Sequence, residues 1–124
     1  MFQAARGCEL DVERGPDWLF VRPHGASLRG HELDLAEQVW GLLEQSMTHR
    51  LVLELDDLGP MMSSVIGQLV MLQKRITSQG GLMRLCGLSP SNQRVLAVSR
   101  LSGYLPQYND RTEAVMGERP MQPR

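Results

Sequence analysis

The sequence is poor in several features, and each shortage excludes a class of protein. Its two cysteines, Cys8 and Cys86, lie far apart, so they form no CxxC motif and no disulfide framework of a small secreted domain. No apolar run approaches the roughly 18 residues that a membrane-spanning helix needs, since Trp18–Val21 is only four residues long. Met1–Gly7 is not followed by the apolar core of a secretory signal. We therefore expect a cytoplasmic protein with no membrane insertion.

An excess of charge of either sign is also missing. The 13 basic residues, of which Lys74 is the only lysine, face 14 acidic ones, for a net charge of −1. This balance argues against a nucleic-acid partner, which would favour a clear basic excess. The sum conceals a division, because residues 1–60 hold 11 acidic and 5 basic residues whereas residues 61–124 hold 3 and 8. With 124 residues, 42% of them hydrophobic, the chain has the size and composition of one globular domain.

Hydrophobic periodicity predicts strands and helices in the order β-β-α-β-α-β-α-β-α. The predicted strands are Cys8–Glu13, Trp18–Pro23, Leu51–Leu55, Leu82–Cys86 and Tyr104–Tyr108. Strands that alternate with helices imply parallel pairing and right-handed crossovers, so we expect an α/β or closely related α+β fold. Its mixed sheet would have about five strands and about four helices, and two helices would suffice to cover each face. We expect this domain to span residues 1–116, with residues 117–124 as a flexible C-terminal tail.

Local signals predict where three of the helices begin. Ser63-Ser64 is expected to provide the N-cap of the second helix, because serine is a preferred N-cap residue. Ser89-Pro90 supplies an N-cap and a first-turn proline for the third helix. Asp110 and Glu113 have the spacing of an N-cap and its third-position acid, which predicts a short final helix.

The common enzyme motifs are absent. The sequence contains neither a GxxxxGK[ST] phosphate loop nor a GxGxxG turn, and Ser63-Ser64 lacks the leading glycine of a GxSxG nucleophile elbow. The three histidines, His24, His31 and His49, are scattered and are expected to be exposed or locally satisfied rather than metal ligands. Asp56-Asp57 is expected to be a strand-end turn. We therefore expect no catalytic residue, no metal site and no cofactor.

Three other residues have a structural interpretation. Trp40 lies on the apolar stripe of the first predicted helix and is expected in the core. Cys86 ends a predicted buried strand and is expected to be an inert core thiol. Arg94 lies on the third predicted helix and is expected to be solvated.

Ser63-Ser64 also has a functional interpretation. A hydroxyl at a helix N-terminus is well placed for phosphorylation, because the unpaired N–H groups and the positive end of the helix dipole stabilise an added dianion. The residues alone leave both the capping and the phosphorylation hypotheses open.

Several blocks of the chain resemble the STAS domain, the module shared by anti-anti-sigma factors and sulfate-transporter tails. These blocks are Leu51–Leu58, Met62–Gly67, Leu72–Arg75, Gly80–Cys86, Val95–Leu101 and Tyr104–Tyr108. They cover about half of the chain, and each falls on the element that the family would require. The resemblance implies a non-catalytic protein of the anti-anti-sigma factor type, also called an anti-sigma factor antagonist.

In that family, the turn after the third strand usually reads Asp-Ser-Ser/Thr-Gly, and an anti-sigma serine kinase phosphorylates its first hydroxyl residue. That position matches Ser63, with Ser64 as a second candidate site, whereas Met62 replaces the usual Asp and Val65 the usual Gly. The resemblance implies that the unphosphorylated domain binds this kinase, a histidine-kinase-like ATPase, and frees a sigma factor. Phosphate on Ser63 would block that binding, and a PP2C-type phosphatase is the further partner implied.

We expect the partner to contact residues around Ser63, namely Met61, Met62, Val65 and Gln68. The two methionines are either buried gap-fillers or an exposed and adaptable partner surface. The altered turn also leaves a second hypothesis, in which the domain is a phosphorylation-independent scaffold that binds through the same helix. Such a scaffold would act in a stress-signalling complex or as a subunit of a lipid-transport ATPase. A third class, an enzyme, would require turnover that Ser63→Ala abolishes.

Overall fold

The computed structural model describes residues 2–5, 8–24 and 35–117, which form six strands and four helices. The elements are β1 Phe2–Ala5, β2 Cys8–Arg14, β3 Leu19–Pro23, α1 Leu35–Ser46, β4 Arg50–Glu54, α2 Ser63–Ser78, β5 Leu82–Cys86, α3 Pro90–Val98, β6 Gln107–Tyr108 and α4 Arg111–Met116. From β2 onward this order is the predicted one, and the α/β fold class is confirmed. Of the expected tail 117–124, residues 118–124 lie outside the described residues, as does His31, whereas Gly117 is the C-cap of α4.

The six strands form one mixed sheet in the order β1-β2-β3-β4-β5-β6. The first three strands pair antiparallel, and β3, β4, β5 and β6 pair parallel. Helices α1, α2 and α3 make the connections between successive parallel strands, as crossover connections require. The carboxyl ends of β4 and β5 therefore lie at one edge of the sheet, where the loop leading to α2 begins.

Strand β1 is the element that the sequence did not predict. It pairs with β2 from Phe2 opposite Asp11 to Ala5 opposite Cys8. Its four residues, Phe-Gln-Ala-Ala, show no apolar–polar alternation, and alanine is depleted in strands. Because the strand is defined by its hydrogen bonds to β2, no local pattern could indicate it.

The larger core lies on one face of the sheet. Strand alternation places Leu51 and Leu53 of β4 on this face, together with Met83 and Leu85 of β5. Helices α1 and α2 pack over these residues, and the same cluster contains one residue of α3 and the buried Trp40, whose predicted core position is confirmed. Three helices therefore contribute to this face.

Among the helices of residues 35–117, α4 alone covers the opposite face, so the expectation of two helices per face is wrong. Its smaller cluster contains Phe20, Val52 and Cys86, with Ala114 of α4. The α4 helix has only six residues, too few to cover a six-stranded sheet. Burial raises the pKa of the Cys86 thiol to about 12, as expected for an inert thiol.

Arginine side chains also cover part of this second face. The Arg111 guanidinium lies 4.1 Å from the centroid of the Phe20 ring, and that of Arg84 lies 5.2 Å from the Trp18 ring. A guanidinium can cover an aromatic face while keeping its charge near water. The sequence pattern gave no indication of this arrangement, because the arginines and the rings come from different elements.

Two of the predicted helix starts are confirmed. Ser89 is the N-cap of α3, where its hydroxyl accepts the backbone N–H of Asn92 and Pro90 is in the first turn. Asp110 is the N-cap of α4, and its carboxylate accepts the N–H of Glu113 at 2.9 Å. The start of α2 differs from the predicted one.

Candidate functional site: the turn before helix α2

Residues 58–64, named here the 58–64 turn, come after the Asp56-Asp57 turn that ends β4 and lead into the first turn of α2. Leu58 and Met61 are buried in the larger core, whereas Gly59 and Pro60 are exposed. Gly59 has a φ of 73°, a backbone conformation in which a side chain would be strained. The turn is thus anchored to the core on either side of its exposed residues.

The N-cap of α2 is Met62, so the prediction of a serine N-cap is wrong. Met62 has an extended backbone, with φ −94° and ψ 159°, and its side chain makes no capping hydrogen bond. Ser63 and Ser64 are the first two helical residues, and both are exposed. Capping therefore does not occupy either hydroxyl.

The charge around Ser63 suits an added anion. Helix α2 contains no aspartate or glutamate from its first residue to its last, and its basic residues lie in its second half. The positive end of the helix dipole is at Ser63. A phosphate on Ser63 would therefore meet no like charge within its own helix.

A side chain of α3, Asn92, bonds to the 58–64 turn. Its Oδ1 accepts the backbone N–H of Met61 at 2.9 Å, and its Nδ2 donates to the carbonyl oxygen of Gly59 at 2.8 Å. Asn92 is 3% exposed. Sequence reasoning missed Asn92 because its hydrogen-bond partners lie more than 30 residues away in the chain. One signal was available: Asn92 precedes the buried Leu96 by one helical turn, so it faces the core.

The predicted contact residues do not form one surface. Met61 and Val65 are buried, with 8% and 2% of their surface exposed, whereas Met62 is 57% exposed. Gln68 is half-buried, and its Oε1 accepts the backbone N–H of Ala36 at 2.8 Å, which ties α2 to α1. Met61 is therefore a core residue and Met62 an exposed one. The role of all four residues in partner binding stays a prediction.

The exposed side of α2 includes a residue that sequence reasoning did not single out. Ser64, Gly67, Met71 and Lys74 are all exposed and follow one another at steps of three or four residues. Met71 is 56% exposed, nearly as much as Met62. The helical spacing alone could have placed Met71 on this stripe.

The predicted strand-end turn at Asp56-Asp57 is present, and a histidine is bonded to it. His24 Nδ1 lies 2.8 Å from Asp57 Oδ2, and His24 Nε2 lies 3.0 Å from Asp11 Oδ2. The histidine therefore connects the end of β3 with β2 and with the turn after β4, in agreement with the expectation that it is locally satisfied. Asp57 chiefly raises the pKa of His24 above its ordinary value of 6.5, and Asp11 adds to this.

The raised pKa of His24 predicts a dependence of stability on pH. A group with a raised folded pKa contributes stability that is full below its unfolded pKa and is lost as pH rises through its folded pKa. We expect His24→Gln to be less stable than the native chain at about pH 5.5, and the difference to shrink toward about pH 8.5. Urea unfolding at both pH values measures it. A difference that is constant or grows with pH would contradict the assignment.

A cavity of about 570 Å³ lies at the edge of the sheet opposite the 58–64 turn. It is lined by residues of the β2–β3 turn, the end of α1 and Gly80-Gly81 before β5. In the part of the chain that the structure describes, no group of three or more histidine, cysteine or acidic residues could hold a metal ion. The helices in the same ranges include none of the length and apolarity needed to cross a membrane.

Comparisons with known proteins give a consistent result. The family model of the STAS domain matches residues 9–114. The Anti-sigma F factor antagonist of Paenibacillus polymyxa is 29% identical over 108 residues, which cover 86% of this chain and 92% of that protein. An anti-sigma-factor antagonist (STAS) domain protein from Planctomyces limnophilus has a TM-score of 0.68 at 25% identity, with 87% of this chain and 96% of that one covered. An anti-sigma factor antagonist from Mycobacterium paratuberculosis has a TM-score of 0.69 over 92% of this chain and 96% of that one, and its 18% identity supports the fold alone.

Proposed function

The chain belongs to the STAS domain family, and we propose that it is a partner-switching regulator of the anti-sigma factor antagonist type. In its unphosphorylated state it binds an anti-sigma serine kinase, a histidine-kinase-like ATPase, in the cytoplasm. Phosphorylation of Ser63 ends that binding, and a PP2C-type phosphatase restores it. The domain is the substrate of this cycle and performs no catalysis itself. The similarity to the Anti-sigma F factor antagonist of Paenibacillus polymyxa supports this assignment.

One observation carries the proposal: Ser63 is exposed at the first position of a helix whose cap is provided by another residue. Its hydroxyl can therefore be modified without the loss of a capping bond. The helix dipole stabilises the product, because the added dianion lies beside free N–H groups. Ser64 shares the exposure and is a second candidate site.

Phosphate would act on the partner surface rather than on the fold. It adds nearly two negative charges beside the exposed Met62, which is 57% exposed and presents an apolar side chain. A partner that buries this methionine would have to desolvate the neighbouring phosphate, which costs binding free energy. Binding would therefore be lost while the domain stays folded.

The test has two steps. The full chain is used to capture partners, and a captured ATPase is purified and incubated with the chain and ATP. Mass spectrometry then reports which residues gain phosphate. We expect modification at Ser63, reduced by Ser63→Ala. A chain that stays unmodified at Ser63 and Ser64 in the presence of a kinase that binds it would overturn the proposal.

Met62 favours a second candidate function. A methionine at the helix cap supplies no polar group beside the acceptor, and its exposed side chain can serve as an adaptable apolar contact. These features suit a phosphorylation-independent scaffold in a stress-signalling complex or a lipid-transport ATPase. Capture of another STAS protein or an ABC-type ATPase, instead of a histidine-kinase-like ATPase, would favour this candidate.

A further inference from the structure

We propose that Asn92 is the positioning residue of the 58–64 turn, and that its two hydrogen bonds determine how Ser63 is presented to the partner. The effect on the partner rests on the proposed function. The effect on the turn rests on the geometry of the described residues alone.

Asn92 satisfies two backbone groups of the 58–64 turn. The Met61 side chain is in the larger core, and its backbone N–H donates to Asn92 Oδ1 at 2.9 Å. The carbonyl oxygen of Gly59 accepts from Asn92 Nδ2 at 2.8 Å. A buried polar group without a partner costs more free energy than a hydrogen bond gains, so the turn depends on this amide. The Asn92 amide therefore bonds the residue before Pro60 through its nitrogen and the residue after Pro60 through its oxygen.

The 58–64 turn has no polar capping side chain of its own. The capping residue Met62 contributes no side-chain bond to the start of α2. Gly59 and Pro60 are exposed. The usual local means of holding a helix entry, a polar N-cap side chain, is therefore missing, and α3 supplies the constraint from outside.

Asn92 is itself held in place by the capped first turn of α3. Ser89 caps α3 by accepting the N–H of Asn92, so the amide side chain projects from a fixed first turn. Asn92 is 3% exposed, which restricts its rotamers. Helix α3 thereby restricts the backbone at Met61, and because only Met62 lies between them, it also restricts the backbone at Ser63.

Amide hydrogen exchange of the native chain is the first measurement. We expect the Met61 amide to exchange at least about tenfold more slowly than that of Ser63, which has no acceptor in the described part of the chain. Equal exchange at Met61 and Ser63 would overturn the proposal. This measurement uses the native chain, so it tests the proposal even if Asn92→Ala does not fold.

Asn92→Ala is the second measurement, with Gln93→Ala as its matched control. Gln93 is the next residue of α3, and its side-chain amide also donates to a backbone carbonyl, that of Leu88 at 2.9 Å, outside the 58–64 turn. We expect Asn92→Ala to accelerate exchange at Met61 by about tenfold or more, while Leu53 in the core keeps its protection. The control should leave Met61 unchanged. Equal acceleration at Met61 and Leu53 would mean a general loss of stability and would overturn the proposal.

The partner provides the third measurement. We expect Asn92→Ala to raise the KM for phosphorylation of the domain by about tenfold, with kcat nearly unchanged, because a loosened turn must be ordered on binding. Gln93→Ala should keep the native KM. If Asn92→Ala accelerates exchange at Met61 but keeps the native KM, the proposed role of Asn92 in presenting Ser63 is overturned. If the native chain is not phosphorylated, the proposed function fails, whereas the exchange result for Asn92 stands.

Discussion

Replacement of Ser63 by glutamate is expected to weaken binding of the kinase partner by at least about tenfold, without loss of the fold. The new carboxylate would lie beside the exposed Met62, so a partner that covers this surface would have to desolvate it. Stability should be unchanged or slightly raised, because an acid in the first turn of a helix is favoured by the dipole. Titration calorimetry with the purified partner measures the affinity, and circular dichroism follows thermal unfolding.

The control for this charge is Ser78→Glu. Ser78 is the last residue of α2 and is exposed, and it lies about 22 Å along the helix from Ser63 at 1.5 Å per residue. We expect native affinity for this variant and for Ser63→Ala, which adds no charge. If Ser78→Glu weakens binding as much as Ser63→Glu, the effect is one of net charge and the location of the switch is wrong. If Ser63→Glu binds like the native chain, the phosphorylation-independent scaffold is favoured.

Local sequence signals correctly predicted the elements whose stabilising contacts are also local. The β5 strand, Leu82–Cys86, is a short and mostly apolar stretch after a glycine pair, and its predicted bounds are the observed ones. The starts of α3 and α4 were predicted because Ser89 and Asp110 cap the residues that directly follow them. In each case the stabilising contacts lie within a few residues of the signal.

The start of α2 shows where this reasoning fails. A serine pair before an apolar helix favours a serine cap, yet the cap is Met62. The backbone there is held by Asn92, which is distant in sequence, so the local preference of serine does not decide the boundary. Tertiary contacts override propensity at the position where function is proposed.

The charge division of the sequence is explained by pairing between distant elements. Among the described residues, Arg75 of the basic half pairs with Glu37 of the acidic half at 2.9 Å. Arg111 pairs with Glu54, and with Glu13 at 3.0 Å. Acidic residues of the first half thus pair with arginines of the second half within the fold.

Replacement of Arg111 is expected to have the largest effect on stability, since Arg111 holds α4 against the second face of the sheet. Its guanidinium donates to both carboxylate oxygens of Glu54 and lies 4.1 Å from the Phe20 ring centroid. The Glu54 side chain is 7% exposed, so its charge depends on this partner, although Arg22 at 3.6 Å gives partial compensation. We expect Arg111→Ala to lower the free energy of unfolding by about 2 kcal/mol, less than for a fully buried pair because the Arg111 side chain is 36% exposed.

Thermal unfolding measures the effect of Arg111→Ala, and the melting temperature should fall by about 8 °C. Arg94→Ala is the matched control, since Arg94 is exposed on α3, and its effect should stay within about 0.5 kcal/mol. The double variant Glu54→Leu with Arg111→Ala should recover part of the loss, because it removes the carboxylate that the single variant leaves without its main partner. A double variant that is no more stable than Arg111→Ala would mean that packing of the Arg111 side chain on Phe20, rather than its pairing with Glu54, holds α4 to the sheet.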